Sequence, residues 1–275
     1  MLFKKTAVIG QPIDHSLSPK LHNYWIGKTN IGVPEYKKIE ISPENFNRET
    51  DRLIAEGYYG LNVTVPLKEL AYKKASKLSD VSITTGAVNT LIFKNGTIFG
   101  TNTDPVGFES SLQKDVIQKN ISNKNCLVLG AGGSAKAIIY TLNKLSAKIS
   151  VCNRTYEKLK DLKKVLDISF ESIKQEDLVD QLKKFDCIIN TTSLGLVPDQ
   201  KNNFIDFNKT KISCYVYDLI YNPIKTDFLR DAHEHGLKTQ NGLKMLIGQA
   251  AASFYIWHGV NPPINDEIET VLEIA

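Results

Sequence analysis

The chain has little of several things that would fix a function at once. It carries only four cysteines, at 126, 152, 187 and 214, with no CxxC pair and no short spacing that suits zinc. Each lies in an apolar run such as Cys126-Leu127-Val128-Leu129, so they are expected to be small core residues in a reduced compartment. None of the five histidines belongs to an H-E-x-x-H or Cys-His pattern, and no metal is expected. No stretch approaches the roughly 20 apolar residues that cross a bilayer. Met1-Leu2-Phe3-Lys4-Lys5 lacks the apolar segment and cleavage site of a leader, so a cytoplasmic protein without a membrane partner is expected. An excess of one charge is missing too. The 34 Lys and Arg against 30 Asp and Glu leave a formal +4, with the lysines dispersed, which argues against a nucleic-acid partner. Internal repeats and low-complexity linkers are absent, so domain joins should be helical or tight.

What is present is ample apolar material. At 275 residues and 42% hydrophobic, the chain sits where single cores begin to split into two. Strands are expected at Thr6 to Ile9, Tyr36 to Ile41 and Gly60 to Val65. Ser42-Pro43-Glu44 reads as an N-cap followed by Pro at the first helical position, opening a helix to about Glu56 that Gly57 stops. Pro66 opens another, about Leu67 to Lys77. Val88 to Phe93 and Thr97 to Gly100, joined by Asn95-Gly96, give a hairpin, hence a mostly parallel sheet with an antiparallel member. From Asn120 onward, strands at 124–129, 148–152, 186–190 and 214–219 alternate with helices at 134–145 and 156–165, the rhythm of a parallel sheet covered on both faces. Helices at 228–235, 242–257 and 265–272 complete the chain.

The strand ending at Leu129 runs straight into Gly130-Ala131-Gly132-Gly133-Ser134-Ala135 and then a helix-forming run. Gly130 can make the sharp turn, Gly132 lets backbone approach a pyrophosphate, the helix amides offer it unpaired N–H groups, and Ala135 fills the third small position. A dinucleotide is the ligand this context suits. About 20 residues on, where an NAD site places Asp or Glu against the ribose 2′-hydroxyl, the sequence offers Asn153, Arg154 and Thr155. A guanidinium can clamp a 2′-phosphate with paired hydrogen bonds, which favours NADP(H); a solvated arginine in a β-α turn is the plainer alternative.

In the first half, Gly10-Gln11-Pro12-Ile13-Asp14-His15-Ser16-Leu17-Ser18-Pro19 follows a strand end. If extended, this loop would turn the hydroxyls of Ser16 and Ser18 the same way, toward one carboxylate; otherwise Ser18 caps a helix starting at Pro19. Asn62 and Thr64 share one side of a strand, and Lys68 then falls on the first turn of a helix, where the dipole disfavours a cation. Such an ammonium could donate a proton as a ketone becomes an alcohol. Asp104 precedes Pro105, so its plain role is an N-cap and its functional one is to pair with Lys68. Asn89 lies in Gly86-Ala87-Val88-Asn89-Thr90, Tyr221 follows the strand at Asp218, and Gln249 sits inside an apolar helix where an amide needs a partner.

Taken together, Gly10 to Pro19 with His22-Asn23, Asn62-Val63-Thr64-Val65-Pro66-Leu67-Lys68, Gly86 to Thr90, Asn102-Thr103-Asp104, Gly130 to Gly133, Asn153-Arg154-Thr155, Asp218-Leu219-Ile220-Tyr221-Asn222-Pro223 and Gly248-Gln249-Ala250 resemble the shikimate dehydrogenase family, from Val8 to nearly the end. The resemblance implies an α/β protein of two domains. A mixed-sheet substrate domain would take residues 1–104 and 239–275, the C-terminal helices returning to it, and a doubly wound, Rossmann-like NADP domain would take 105–238. It implies reversible NADPH-dependent reduction of 3-dehydroshikimate to shikimate on the way to chorismate and aromatic amino acids. Ser16, Ser18 and Tyr221 would hold the substrate carboxylate, and Asn62, Thr64, Lys68, Asn89, Asp104 and Gln249 the ring hydroxyls and carbonyl. Lys68 and Asp104 take the catalytic positions. Gly130, Ala131, Gly132, Gly133, Ser134 and Ala135, with Asn153, Arg154, Thr155, Lys158, Thr191, Leu219, Gly242 and Met245, would bind the cofactor. Where relatives often carry a second arginine this chain has Lys158, which neutralises phosphate without the rigid fork, so its NADP(H) preference should be less steep. A quinate/shikimate dehydrogenase using NAD or NADP is the nearest alternative, and a non-catalytic nucleotide-dependent sensor a remote one. A monomer and a homodimer are both compatible.

Overall fold

Short apolar runs punctuated by Gly, Pro and Asn form six strands in the first hundred residues: β1 (Lys5–Gly10), β2 (Lys37–Glu40), β3 (Tyr58–Val63), β4 (Lys77–Leu78), β5 (Thr90–Lys94) and β6 (Thr97–Thr101). The computed structural model describes residues 4–196 and 205–272, so the Met1-Leu2-Phe3 start lies outside the described residues. The six strands make one mixed sheet, ordered β2-β1-β3-β5-β6-β4, in which the β3–β5 and β5–β6 pairs are antiparallel and the rest parallel. Asn95 (φ 51°) and Gly96 (φ 71°) both take the left-handed turn that joins β5 to β6.

Period-two alternation decides what each face of this sheet carries. Ala7, Ile9, Leu61, Val63 and Leu91 turn to one side and pack with Phe46, Leu53 and Ala71. Val8 and Ile92 turn to the other, against Tyr36 and Trp257. Asn62, between Leu61 and Val63, therefore points away from the larger apolar core, and its register partner on β5 is Thr90. The long helix Leu243–His258 closes this second face, its Trp257 indole donating to the Leu91 carbonyl at 3.1 Å.

Six further strands, β7 (Asn125–Leu129), β8 (Lys148–Cys152), β9 (Glu171–Ile173), β10 (Cys187–Asn190), β11 (Tyr215–Asp218) and β12 (Lys238–Gln240), form an all-parallel sheet ordered β12-β11-β10-β7-β8-β9. This is doubly wound order, with the chain reversing direction across the sheet between β7 and β10. Both faces are buried. Cys126, Val128, Cys187, Ile189 and Tyr217 face one core, while Leu127, Leu129, Ile188 and Val216 face the other, which explains why these strands read as continuous apolar runs. All four cysteines are buried free thiols.

The chain divides into two compact units, Met1–Gly107 with Ile247–Ala275, and Phe108–Leu246. Both divisions fall within helices, Asp104–Ser111 and Leu243–His258, and both come later than the sequence suggests, the second because β12 adds a strand to the parallel sheet. Among the described residues, no helix is long and apolar enough to cross a membrane.

Several local expectations are corrected. After Ser42 the first turn, Pro43–Asn45, is a 3-10 turn rather than α-helix, and the Ser42 hydroxyl accepts from the Asn45 side-chain amide instead of capping a backbone N–H. β3 starts earlier and stops at Val63, leaving Thr64 outside the strand. The helix after Pro66 spans only Lys68–Lys74, because Lys77 pairs with Phe99 in the short edge strand β4. The Ser16 to Ser18 segment is not extended. Leu17 has helical dihedrals, Ser18 is the first residue of helix Ser18–Thr29, and its N–H donates to the Ser16 hydroxyl at 3.4 Å. Ser18 is therefore within the helix and is not its cap.

Candidate active site

In the first unit, the loop after β3 delivers Lys68 to the first turn of helix Lys68–Lys74, and the chain leaving β6 delivers Asp104 to the start of helix Asp104–Ser111. The Lys68 ammonium and the Asp104 Oδ2 form an ion pair, with side chains only 12% and 6% exposed. Asp104 does not spend its carboxylate on capping. Its Oδ1 accepts from Asn89 Nδ2 at 2.7 Å, and the cap-like contact is made by Asn102, whose Oδ1 accepts from the Asp104 N–H at 3.1 Å. Asn89 is fixed in turn. Its Oδ1 accepts from the Thr103 N–H at 2.8 Å, and since a backbone N–H can only donate, the amide nitrogen must face the carboxylate. A cation beside a carboxylate, both largely out of water and both held by further hydrogen bonds, can hand a proton to a neighbouring oxygen and stabilise charge developing there.

Asn62 lies beside this group on the same sheet face. Its Nδ2 donates toward the Asn89 carbonyl (3.2 Å), Thr90 Oγ1 (3.2 Å) and Ser253 Oγ (3.0 Å), and its Oδ1 accepts from the Tyr36 hydroxyl at 2.8 Å. Burial pushes the Tyr36 phenol well above its ordinary pKa, which keeps it a donor. The Asn62 donors are thus spent inside the protein, and only a lone pair on Oδ1 remains for a ligand. Gln249 Oε1 lies within long reach of Asn89 Nδ2 (3.4 Å) and Thr103 Oγ1 (3.5 Å). Thr64 and Ser16 are half-buried in loops that leave β3 and β1, whose ends adjoin: the Thr64 N–H donates to the Ile9 carbonyl at 2.9 Å. Tyr221 belongs to the other compact unit.

In the second unit, β7 enters Gly130 at φ 113°, a conformation side chains rarely adopt, and a Cβ there would lie 2.6 Å from Thr191 Oγ1. Gly132 is the N-cap of helix Gly133–Lys144 and is exposed, with open space where a Cβ would be, while Ala135 is buried against the core. The helix N–H groups of its first turn therefore open on an unobstructed strand end. Next to it, a cleft of about 310 Å³ is lined by Gly130, Asn153, Arg154, Thr155 and Lys158, with Gln175 and Thr192 also on its wall. Arg154, Thr155 and Lys158 are exposed and Asn153 is partly buried, its Nδ2 donating to the Thr155 carbonyl at 2.8 Å. Two cations at the rim of a cleft beside a glycine turn fit a dinucleotide carrying a phosphate on its adenosine ribose. Thr191 spends its hydroxyl on the Leu129 carbonyl (2.7 Å), and Gly242 is required by packing, since a Cβ would lie 1.9 Å from the Leu219 carbonyl oxygen. Met245 is buried in the core of this unit. No group of three or more His, Cys, Asp or Glu placed to hold a metal occurs among the described residues.

Sequence reasoning missed Thr90, Thr103 and Ser253, whose hydroxyls tie Asn62 to Asn89, and Gln175 and Thr192 on the cleft wall. A serine in the otherwise apolar run Ala250 to Trp257 was the available signal for Ser253.

Comparison with known proteins decides the family. Residues 8–91 match the shikimate dehydrogenase substrate binding domain, 111–219 match shikimate / quinate 5-dehydrogenase, and 242–272 match the shikimate 5′-dehydrogenase C-terminal domain. The chain belongs to the shikimate dehydrogenase family. Shikimate dehydrogenase (NADP(+)) of Pelagibacter ubique is 40% identical over 277 residues, spanning 98% of this chain and all of that protein. Among solved structures, the shikimate dehydrogenase of Aquifex aeolicus superposes with a TM-score of 0.86 at 36% identity, covering 98% of this chain and 96% of its own. The Thermus thermophilus shikimate 5-dehydrogenase in complex with NADP(H) and shikimate gives 0.85 at 30% identity, covering 98% and 99%. As a family member the chain is an oxidoreductase with an α/β fold of two sheets, one mixed and one doubly wound.

Proposed function

We propose that this chain reversibly reduces 3-dehydroshikimate to shikimate with NADPH, in the pathway to chorismate and the aromatic amino acids. The buried Lys68–Asp104 pair, held by Asn89, is the observation that carries the reading. Bound reduced nicotinamide supplies a hydride to the ring carbon. As the carbonyl oxygen gains charge, the Lys68 ammonium donates to it and finally transfers a proton, while Asp104 keeps the ammonium aimed and balanced. Asn62 offers its remaining Oδ1 lone pair to a ring hydroxyl, and Thr64 and Gln249 offer further polar contacts. Ser16, Ser18 and Tyr221 hold the carboxylate of the acid. The N–H groups following Gly130, Ala131, Gly132, Gly133 and Ser134 hold the pyrophosphate, and Asn153, Arg154, Thr155 and Lys158 hold the 2′-phosphate. Thr191, Leu219, Gly242 and Met245 shape the nicotinamide end. The parallel-sheet unit, Phe108–Leu246, is the nucleotide domain and the remainder the substrate domain.

The relatives' NADP(+) names and the Thermus thermophilus complex with NADP(H) and shikimate support this reading. A reducing, cytoplasmic setting suits four buried thiols with no disulfide. The groups named all come from one chain, so a monomer or a homodimer suffices. Steady-state rates followed by nicotinamide absorbance, with shikimate and quinate each paired with NADP(+) and NAD(+), test it. Shikimate with NADP(+) should be the fastest pairing, and no shikimate-dependent reduction in any pairing would overturn it.

A further inference from the structure

Four side chains behind the Lys68–Asp104 pair, Asn89, Thr103, Ser253 and Thr90, close into a ring of hydrogen-bond contacts. Asn89 Oδ1 accepts from the Thr103 N–H at 2.8 Å and from the Thr90 hydroxyl at 2.8 Å, with the Thr103 hydroxyl also within reach at 3.1 Å. Thr90 Oγ1 and Ser253 Oγ lie 2.8 Å apart, and the serine hydroxyl also has the Gln249 backbone carbonyl as an acceptor at 3.1 Å. Thr103 Oγ1 and Ser253 Oγ lie 3.2 Å apart. Asn89 Nδ2 donates to Thr103 Oγ1 at 2.9 Å and closes the circuit. Hydroxyls and amides linked in this way polarise one another. The second Asn89 amide hydrogen leaves the ring and goes to Asp104 Oδ1.

We propose that Ser253 is a positioning residue for the reaction: its hydroxyl closes the Asn89–Thr103–Ser253–Thr90 ring and thereby holds the Asn89 amide that aims Asp104 at Lys68. The inference rests on the functional reading above. Ser253 is fully buried, on the helix Leu243–His258, far along the chain from the strands it joins. Its oxygen also accepts from Asn62 Nδ2 at 3.0 Å, so one hydroxyl fixes both asparagines of the site. Ser253 hydrogen-bonds neither Lys68 nor Asp104, and its effect is transmitted through Asn89.

The experiment compares the full-length parent with Ser253→Ala, Thr90→Val and the double variant, each checked for folding by its thermal melt. Thr90→Val keeps side-chain shape and breaks the same ring at the next hydroxyl. Losing the restraint on one hydrogen-bonded amide should lower kcat about 10-fold, with KM for 3-dehydroshikimate changing by less than about 2-fold. The double variant should be no slower than the worse single, because a ring once opened is open. A kcat within about 2-fold of the parent despite a lowered melting temperature, or losses that multiply in the double variant, would mark Ser253 as merely structural and overturn the proposal. Hydrogen exchange at the Thr103 amide gives a readout independent of turnover. It should accelerate in Ser253→Ala, and unchanged exchange would overturn the ring itself. A parent without activity whose Thr103 exchange still responds would count against the functional reading, and not against the ring.

Discussion

The two units bury different chemistry. The first holds both tryptophans, Trp25 and Trp257, and packs a polar network and an aromatic cluster behind its mixed sheet; the second holds all four cysteines and packs apolar residues on both faces of a parallel sheet. In the first, the functional groups are interior side chains whose orientation depends on one another. In the second, the proposed groups are mostly backbone N–H groups and exposed cations at strand ends, carried by a buried apolar core. A parallel sheet covered on both faces leaves polar groups nowhere to go but its C-terminal edge, whereas a mixed sheet with one polar-lined face can bury a reactive pair.

This contrast can be broken most sharply at Lys68. Lys68→Ala should lower kcat by roughly 100-fold or more with a much smaller change in the 3-dehydroshikimate KM, the scale of losing a general acid. Turnover that survived would remove the buried pair from the chemistry. Next in size is Arg154→Ala, in the second unit. Losing a charge-assisted clamp should raise the NADPH KM by about 10-fold while leaving the NADH KM nearly unchanged; equal losses for both would mean that Arg154 contacts something other than the 2′-phosphate.

The interiors should also answer acid with opposite signs. His22 is fully buried, stacked on Tyr36 with ring centroids 4.1 Å apart, and neither ring nitrogen has a partner. Burial, reinforced by neighbouring His258, lowers its pKa to about 3 from 6.5. Between those values the unfolded chain takes up a proton that the folded chain refuses, so stability is lost as pH falls, by about 2 kcal/mol at pH 5. His22→Phe keeps the stack and should flatten this slope, read by the fluorescence of the two tryptophans, both in this unit. An unaltered acid transition would exclude His22 as its source.

The smallest effect is at Asp218, whose Oδ2 accepts from Thr226 at 2.6 Å and whose Oδ1 accepts from Asn190 at 3.0 Å. Burial raises its pKa to about 6 from 3.8. The folded chain then holds the proton more tightly, so this contribution is full below about pH 3.8 and lost as pH rises through about 6. Asp218→Asn should therefore compare better with the parent at pH 7 than at pH 5, by about 1 kcal/mol, measured by the rate at which the four cysteines become reactive to a thiol reagent. A gap independent of pH would mean that Asp218 stays ionised throughout.

How far the sequence could be read differs between the units for the same reason. In the second, β8 was legible to the residue and the glycine turn, the helix after it and the position of Arg154 all followed, because each signal is local. The short strands β9 and β12 were not, having too few residues to show a period. In the first unit the Asn95-Gly96 hairpin was plain and pairing with Lys68 was one of two readings of Asp104, yet the capping roles open to Ser42, Ser18 and Asp104 are displaced by other contacts. Short polar side chains carry the same local signature whether they cap a helix or join a network, and only the neighbours brought by the fold decide between them.

By itself the sequence determined the strand and helix rhythm, the turn that only glycine takes at Gly130, and the guanidinium at the end of β8, since backbone sterics and periodicity act over a few residues. The tertiary structure alone decided that Asp104 meets Lys68, that Asn62 spends its amide inward on Thr90 and Ser253, and that a serine on the last long helix completes a ring begun on β5. Alternation tells a side chain which face to take; the register of strands and the docking of a distant helix tell it which partner it finds there.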